Sequence, residues 1–207
     1  MLALFAGMVG TTALATHSIL SMSGGAMFMF PLGLSVAVGI RVGHATGDQR
    51  PEDAKLSTYV GCTLGVVYSV LNAIVILCAR NYWGLIFSPE KGVVDLTAKT
   101  LPILAVFNLF DANQCVLSGM LRGVGRQAFG ALLNFISYCM IGLPLAYLFS
   151  NPWDLKLRGV WSGDTVGAAI ASALLIVTAL RQDWKGLARE AYKRSATYHS
   201  KRVSEDG

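Results

Sequence analysis

Charge is what this chain has least of. Only 14% of its 207 residues are Asp, Glu, Lys or Arg, against about 25% in an ordinary soluble domain. So apolar a chain cannot cover a water-facing surface, which excludes a soluble globular domain. Catalytic patterns are missing as well. There is no His-Glu-x-x-His, no phosphate-binding Gly-rich loop ending in Lys-Ser/Thr, and no Gly-x-Ser-x-Gly. The run Arg122-Gly123-Val124-Gly125-Arg126 lacks the strand–helix setting of a nucleotide fingerprint and reads as a tight loop. An enzyme is therefore not expected. The cysteines Cys62, Cys78, Cys115 and Cys139 all fall inside apolar runs and show no metal-ligand spacing. They are expected to be small buried apolar residues, and neither a metal nor a cofactor is expected. The net charge of +5 does not point to nucleic acid, because the basic residues gather at helix ends and in the tail.

Long apolar runs are what the chain does have. Residues 1–40 (with His17 neutral), 56–79, 127–153 and 165–180 carry no charge, and 100–121 is broken only by Asp111. Most reach the ~20 residues that span a bilayer as a helix, and the backbone in lipid must satisfy its own hydrogen bonds. The fold class expected is an all-α membrane protein with about five complete transmembrane helices plus an N-terminal helix stub. The stub is placed at 1–9 and the helices near 13–46, 54-85, 93–121, 127–149 and 159–181, with a polar tail at 182–207. Ala13-Leu14-Ala15 mimics a signal-peptidase site. Without a basic n-region, Met1–Ala15 reads instead as the end of a helix whose beginning is missing. Twelve of the 17 basic residues fall on one side of this topology. The positive-inside rule then sets the C-terminus in the cytoplasm, for a multi-pass protein of a plasma or vacuolar membrane. Stretch 182–194 is expected to continue as a surface helix. Arg41 and Arg122 are expected to snorkel at cytoplasmic helix ends.

Trp83, Trp153 and Trp161 near the outer ends, with Trp184 near the inner one, read as an aromatic belt. Gly61 and Gly65, Gly119 and Gly123, and Gly163, Gly167 and Ala171 recur at four-residue spacing, a surface for close helix packing. Pro31 and Pro144 are the hinge candidates, since each removes a backbone donor within an apolar helix.

Asp111 is the candidate site. It stands 12 residues past Lys99 and 11 before Arg122, with ~16–18 Å of helix on either side, and so near the midplane of a hydrocarbon core ~30 Å thick. A charged side chain there costs about 2.5–3.5 kcal/mol. An interhelical hydrogen bond returns only ~0.6 kcal/mol, so a purely structural role leaves the cost uncovered. Proton or cation handling is the reading that explains it. On a helical wheel Thr100, Phe107, Asn108, Gln114, Cys115 and Ser118 lie within ~40–60° of Asp111. That polar stripe must face other helices or a watery cleft. Asn108, Gln114, Tyr138 and Asn134 are the candidates to line the cleft, with Asn72 as a further cavity group. His17 and Asp164 are placed toward the outer side, within reach of water.

Pro31-Leu32-Gly33-Leu34-Ser35-Val36-Ala37 through Arg41-Val42-Gly43-His44-Ala45-Thr46-Gly47 resembles a signature of the multidrug and toxic compound extrusion (MATE) transporters. So do Leu117-Ser118-Gly119-Met120-Leu121-Arg122-Gly123, the run Tyr138 to Pro144, and Gly159-Val160-Trp161-Ser162-Gly163. Asp183-Trp184 looks like the eukaryotic branch. The resemblance implies two six-helix lobes that rock about a central cleft, with this chain corresponding to the second, C-terminal lobe. It implies efflux of small organic cations and drugs against inward H+, with Na+ as the alternative ion and the N-terminal lobe as the missing partner. It also implies that Asp111 occupies the place of an acidic residue of that branch. Met22 stands at another acidic position, and His44 and Thr46 replace the usual Asn and Leu. Two rivals accompany this reading. One is a truncated, non-transporting membrane scaffold. The other is a lipid-linked oligosaccharide flippase, whose pyrophosphate cargo needs a cationic cavity where this chain has an acid.

Overall fold

Hydrocarbon offers no partner to a backbone N–H or C=O, so apolar runs of this length close their hydrogen bonds along a helix. The computed structural model describes residues 7, 10–150 and 156–192. Apart from Gly7, the stub expected at 1–9 lies outside them, as do Trp153 and the tail beyond 192. The helices are α1 (Thr11–Gly47), α2 (Pro51–Trp83), α3 (Lys91–Gly123), α4 (Gln127–Phe135), α5 (Leu143–Ser150) and α6 (Lys156–Leu180). A last helix, α7, covers 184–192. A 3-10 turn, Gly84–Ile86, follows α2, and a π-helical segment, Ile136–Gly142, joins α4 to α5. Five stretches are long and apolar enough to cross a membrane: α1, α2 with its 3-10 turn, α3, α4 through α5, and α6. No strand occurs among the described residues.

Two tight turns lie at the same end of the bundle. One is at 48–50, with Gln49 at φ 56°. The other is at 124–126, where Gly125 has φ 76°, a conformation in which a side chain would be strained. Arg50 bridges Asp48 at 2.8 Å and Asp53 at 3.2 Å across the first turn. Solvent screens exposed pairs of this kind, so they add little to stability. Arg126 and Arg181 also lie at this basic end.

Helix α3 is the centre of the molecule and packs against α1, α2 and α6. Glycine makes this possible. A Cβ on Gly119 would run into the Ser35 carbonyl, and one on Gly123 into the Gly39 carbonyl, so α1 and α3 cross backbone to backbone. Gly61 lets α2 close on Val38 and Val116, Gly163 admits the Ala146 backbone, and Gly167 meets Gly142. Each small-residue stripe seen in the sequence is thus a helix crossing, where van der Waals contact between backbones replaces the hydrophobic drive that lipid removes.

Two apolar clusters hold the ends. At the basic end Val42, Val116, Leu121 and Leu175 pack with Leu187 of α7. At the other end Leu20, Ile76, Leu101, Leu104 and Leu157 pack around Trp161. The outward faces stay apolar, as at Val67, Leu71, Ile74 and Met140, where a soluble protein would be polar. This explains a correction. Only Cys115 is buried; Cys62 is partly so, and Cys78 and Cys139 are exposed on the apolar perimeter. A thiol facing acyl chains meets no aqueous cost, so lying in an apolar run did not require an interior position.

The π segment has a local cause. Pro144 has no N–H and its ring crowds the carbonyl four residues earlier. The ladder ahead of it widens to the longer π pattern over Ile136–Gly142. Pro31 lies inside α1, which runs on through it without a break in the helix.

Candidate functional site

The Asp111 carboxyl points into the bundle. Helix α3 is enclosed by neighbours on several sides, so its polar stripe meets protein rather than lipid, and Asp111 itself is only partly exposed. From the π segment, the Tyr138 hydroxyl reaches Asp111 Oδ1 at 3.4 Å and Gln114 Oε1 at 3.2 Å. One hydroxyl hydrogen serves two acceptors, so it can follow whichever group is the stronger acceptor at the time. The wider π winding sets this aim, because it rotates every later side chain relative to a regular helix.

Three of the sequence candidates, Asp111, Gln114 and Tyr138, come together in one constellation. The others do not join that hydrogen-bonded group. Asn108 is buried and its Nδ2 donates to Met27 Sδ at 3.3 Å. It lines a narrow crevice with Asp111, Tyr68, Asn72 and Pro31 between α1, α2 and α3. Asn134 lies two α3 turns farther toward the basic end, where its Nδ2 meets Ser118 Oγ at 3.5 Å and its Oδ1 has no partner. It does not touch Asp111. Asp111 thus stands between that crevice on the α1 side and the Tyr138 hydroxyl of the π segment.

Several readings of single residues change. Arg122 does not simply snorkel. Its Nη2 donates to Ser35 Oγ at 2.8 Å, and that hydroxyl donates to the Cys115 carbonyl, which ties α1 to α3 near the glycine crossing. Trp161 is no belt residue: it is 5% exposed and lies between His17, 5.7 Å away by ring centroids, and Phe107, 5.9 Å away and edge-on. Trp83 turns its Nε1 inward to Ser23 Oγ at 2.9 Å. His17 is 8% exposed, with Nδ1 unpartnered, rather than open to water. An indole or imidazole near a membrane interface follows whichever packing the neighbouring helices offer, and α1 and α6 offer an interior seat.

Sequence reasoning passed over Tyr68, whose hydroxyl donates to the Met27 carbonyl at 3.0 Å and whose ring stacks on Phe30. Its signal was a lone phenol in an apolar run. A separate cavity of about 550 Å³ opens between α1 and α2 at the basic end, lined by Arg41, His44 and Asp53 and, deeper, by Leu34, Val60 and Leu64. It does not reach Asp111. Among the described residues no group of three His, Cys, Asp or Glu side chains could hold a metal ion.

Five spanning stretches wrapped around an interior acid define a multi-pass integral membrane protein. The MatE family model matches residues 1–148. Human multidrug and toxin extrusion protein 2 is 35% identical over 197 residues, which is 95% of this chain and 33% of that protein. An uncharacterized transporter of Schizosaccharomyces pombe is 40% identical over 164 residues, 79% of this chain and 30% of its own. The eukaryotic MATE transporter AtDTX14 superposes with a TM-score of 0.84 at 30% identity, covering 92% of this chain and 44% of that structure. The chain belongs to the MATE family of transporters, in its eukaryotic branch, and its fold is that of one lobe. It spans about a third of the length of the curated relatives it matches.

Proposed function

We propose that this chain is the C-terminal lobe of a proton-coupled antiporter that extrudes xenobiotics and other small organic cations. It would act together with an N-terminal lobe across a shared cleft, because carriers of this kind move by rocking one half against the other. The observation that carries the reading is the Asp111 carboxyl: mid-helix, turned inward, and held by the Tyr138 hydroxyl beside Gln114. An acid at that depth is cheaper neutral than charged unless a cation joins it. A proton and a cationic ligand therefore compete for one carboxylate, and that competition is the coupling. In the proposed cycle, deprotonated Asp111 attracts the ligand within an apolar, aromatic-walled cleft. Protonation from the outer side removes the charge and releases it. Tyr138 and Gln114 orient the carboxyl, while Asn108 sets the polarity of the crevice behind it.

The basic residues of the turns and of α7 support a cytoplasmic C-terminus by the positive-inside rule. A sodium-driven cycle would use the same carboxylate. A pyrophosphate-carrying flippase is disfavoured, because an interior acid repels that cargo. The test is efflux of a fluorescent organic cation from vesicles holding the two-lobed carrier, driven by an imposed proton gradient and separately by a sodium gradient. Asp111→Asn is expected to abolish efflux with normal membrane insertion. Undiminished efflux by that variant would reject the exchange role.

A further inference from the structure

Helices α1 and α2 are neighbours that touch near mid-membrane and part toward the basic end. The Tyr68 ring stacks on Phe30 with centroids 4.3 Å apart, and its hydroxyl donates to the Met27 carbonyl at 3.0 Å. About two turns nearer the basic end, the Val38 side chain occupies the place of a Cβ on Gly61, so the helices also meet along the back. In front of that contact lies the cavity of about 550 Å³, within the ~300–1,000 Å³ of a site that holds a small organic molecule. Its α2 wall runs from Asp53 to Leu64. At ~1.5 Å rise per residue that wall is about 16 Å long, close to one leaflet's share of a ~30 Å hydrocarbon core.

The walls change character with depth. Leu34, Val60 and Leu64 line the inner part, and Arg41, His44, Arg50 and Asp53 line the mouth. Val60 and Leu64 are exposed although apolar, so an apolar occupant suits them. The charges at the mouth do not cancel. Arg50 is answered by Asp48 and Asp53, which uses up the one acid of the lining. Arg41 and His44 are both exposed, and neither has an acidic partner among the described residues. Arg41 is also the deepest charge of the groove. It stands about 10 Å along α1 from Leu34, so its guanidinium overlies the apolar wall. A cation at the edge of hydrocarbon is costly unless an anion or water meets it.

We propose that this groove is a binding site for one anionic phospholipid, with the phosphate on Arg41 and His44 and one acyl chain laid along Leu34, Val60 and Leu64. The lipid is a bound component rather than cargo. The cavity does not reach Asp111, so the site stands apart from the exchange reading. Guanidinium and phosphate form paired, charge-assisted hydrogen bonds, and the chain covers the apolar wall along the depth of one leaflet. Basic pockets between membrane helices suit anionic headgroups, above all on the side where anionic lipids gather. A zwitterionic headgroup brings its own ammonium toward Arg41, which gives the site its selectivity. The bound chain fills the gap where α1 and α2 part and braces the two helices against each other.

The test titrates the detergent-purified chain with phosphatidylserine and with phosphatidylcholine of identical acyl chains, and counts retained lipid by native mass spectrometry. Wild type is expected to keep one phosphatidylserine in preference to phosphatidylcholine and to gain thermal midpoint from it. Arg41→Gln should weaken that preference about fivefold, which is what one basic residue near an anionic surface contributes. Lys55→Gln is the control. Lys55 is exposed on the opposite face of α2 and outside the lining, so its loss should leave the preference unchanged. Val60→Trp fills the groove without touching a charge and should abolish retention. Both residues substituted in the groove are exposed, so folding is expected to survive, read as an unchanged midpoint without lipid. Equal retention of the two lipids by wild type overturns the proposal. So does an equal loss in Arg41→Gln and Lys55→Gln, which would mean diffuse attraction to basic surface. Undiminished retention in Val60→Trp would mean a headgroup held without a seated chain, and overturns it as well. The same count on the two-lobed carrier is expected to find the same single lipid; its absence there would make the groove a seat for the other lobe and reject the lipid.

Discussion

A single hydroxyl decides how the central acid is presented. Tyr138 donates to Asp111 and to Gln114 from one oxygen, so Tyr138→Phe removes the donor from both while keeping the ring that packs near Gly167. A hydrogen bond is worth ~0.5–1.5 kcal/mol net, more when one partner is charged. Efflux by the two-lobed carrier is expected to fall several-fold to about tenfold, with little change in thermal midpoint. An unchanged rate would show that the phenol does not orient the acid. Glycine acts at the same scale. Gly119 has no room for a Cβ beside Ser35, whereas Gly25 has nothing within 4 Å. Gly119→Ala should therefore lower the unfolding midpoint in detergent by an amount consistent with ~1–3 kcal/mol of overpacking, and Gly25→Ala should be neutral or slightly stabilising. Equal effects at the two positions would contradict the backbone crossing of α1 and α3.

Among the elements, the π segment and α7 carry the clearest consequences. The winding over Ile136–Gly142 precedes Pro144 and places Tyr138. Pro144→Ala returns an N–H and removes the clash, so the segment should rewind toward α-helix and carry the phenol off its bearing. Slower hydrogen exchange across 136–142 together with reduced efflux is the expected pair of readouts; unchanged exchange would mean that the proline does not set the π winding. Helix α7 is more than a solvated tail at its start. Leu187 and Ala188 are each 3% exposed, and Leu187 packs in the cluster that joins α1, α3 and α6. Leu187→Ser should cost about 1.5–3 kcal/mol of apolar burial and lower the unfolding midpoint. Arg189→Ala, two residues farther along α7 but exposed, should not.

For the whole molecule, the large apolar faces on α1 and α2 need lipid or another membrane helix against them. Met22 of α1, 66% exposed, is one such surface. Expressed by itself, this chain is expected to insert in membranes without conferring drug tolerance. Co-expressed with a family N-terminal lobe, it is expected to confer it, read as growth of a transporter-deficient cell in a toxic organic cation. Tolerance from the chain alone would contradict the two-lobe cycle.

Hydropathy alone was enough to mark the spans, because the period and length of apolar runs are set by a solvent that accepts no backbone hydrogen bonds. The same logic singled out Asp111, whose cost depends only on its distance from the nearest water. Glycine stripes announced close crossings, since only small residues allow them. What each side chain meets was another matter. Trp161 and His17 read as interfacial and proved interior. Cys78 and Cys139 read as interior and face outward. Those outcomes depend on the rotation and register of one helix against another, fixed by contacts far apart in the chain such as Gly119 on Ser35 and Gly167 on Gly142. One-dimensional order sets how deep a residue sits in the membrane; only the packed bundle sets which way it looks.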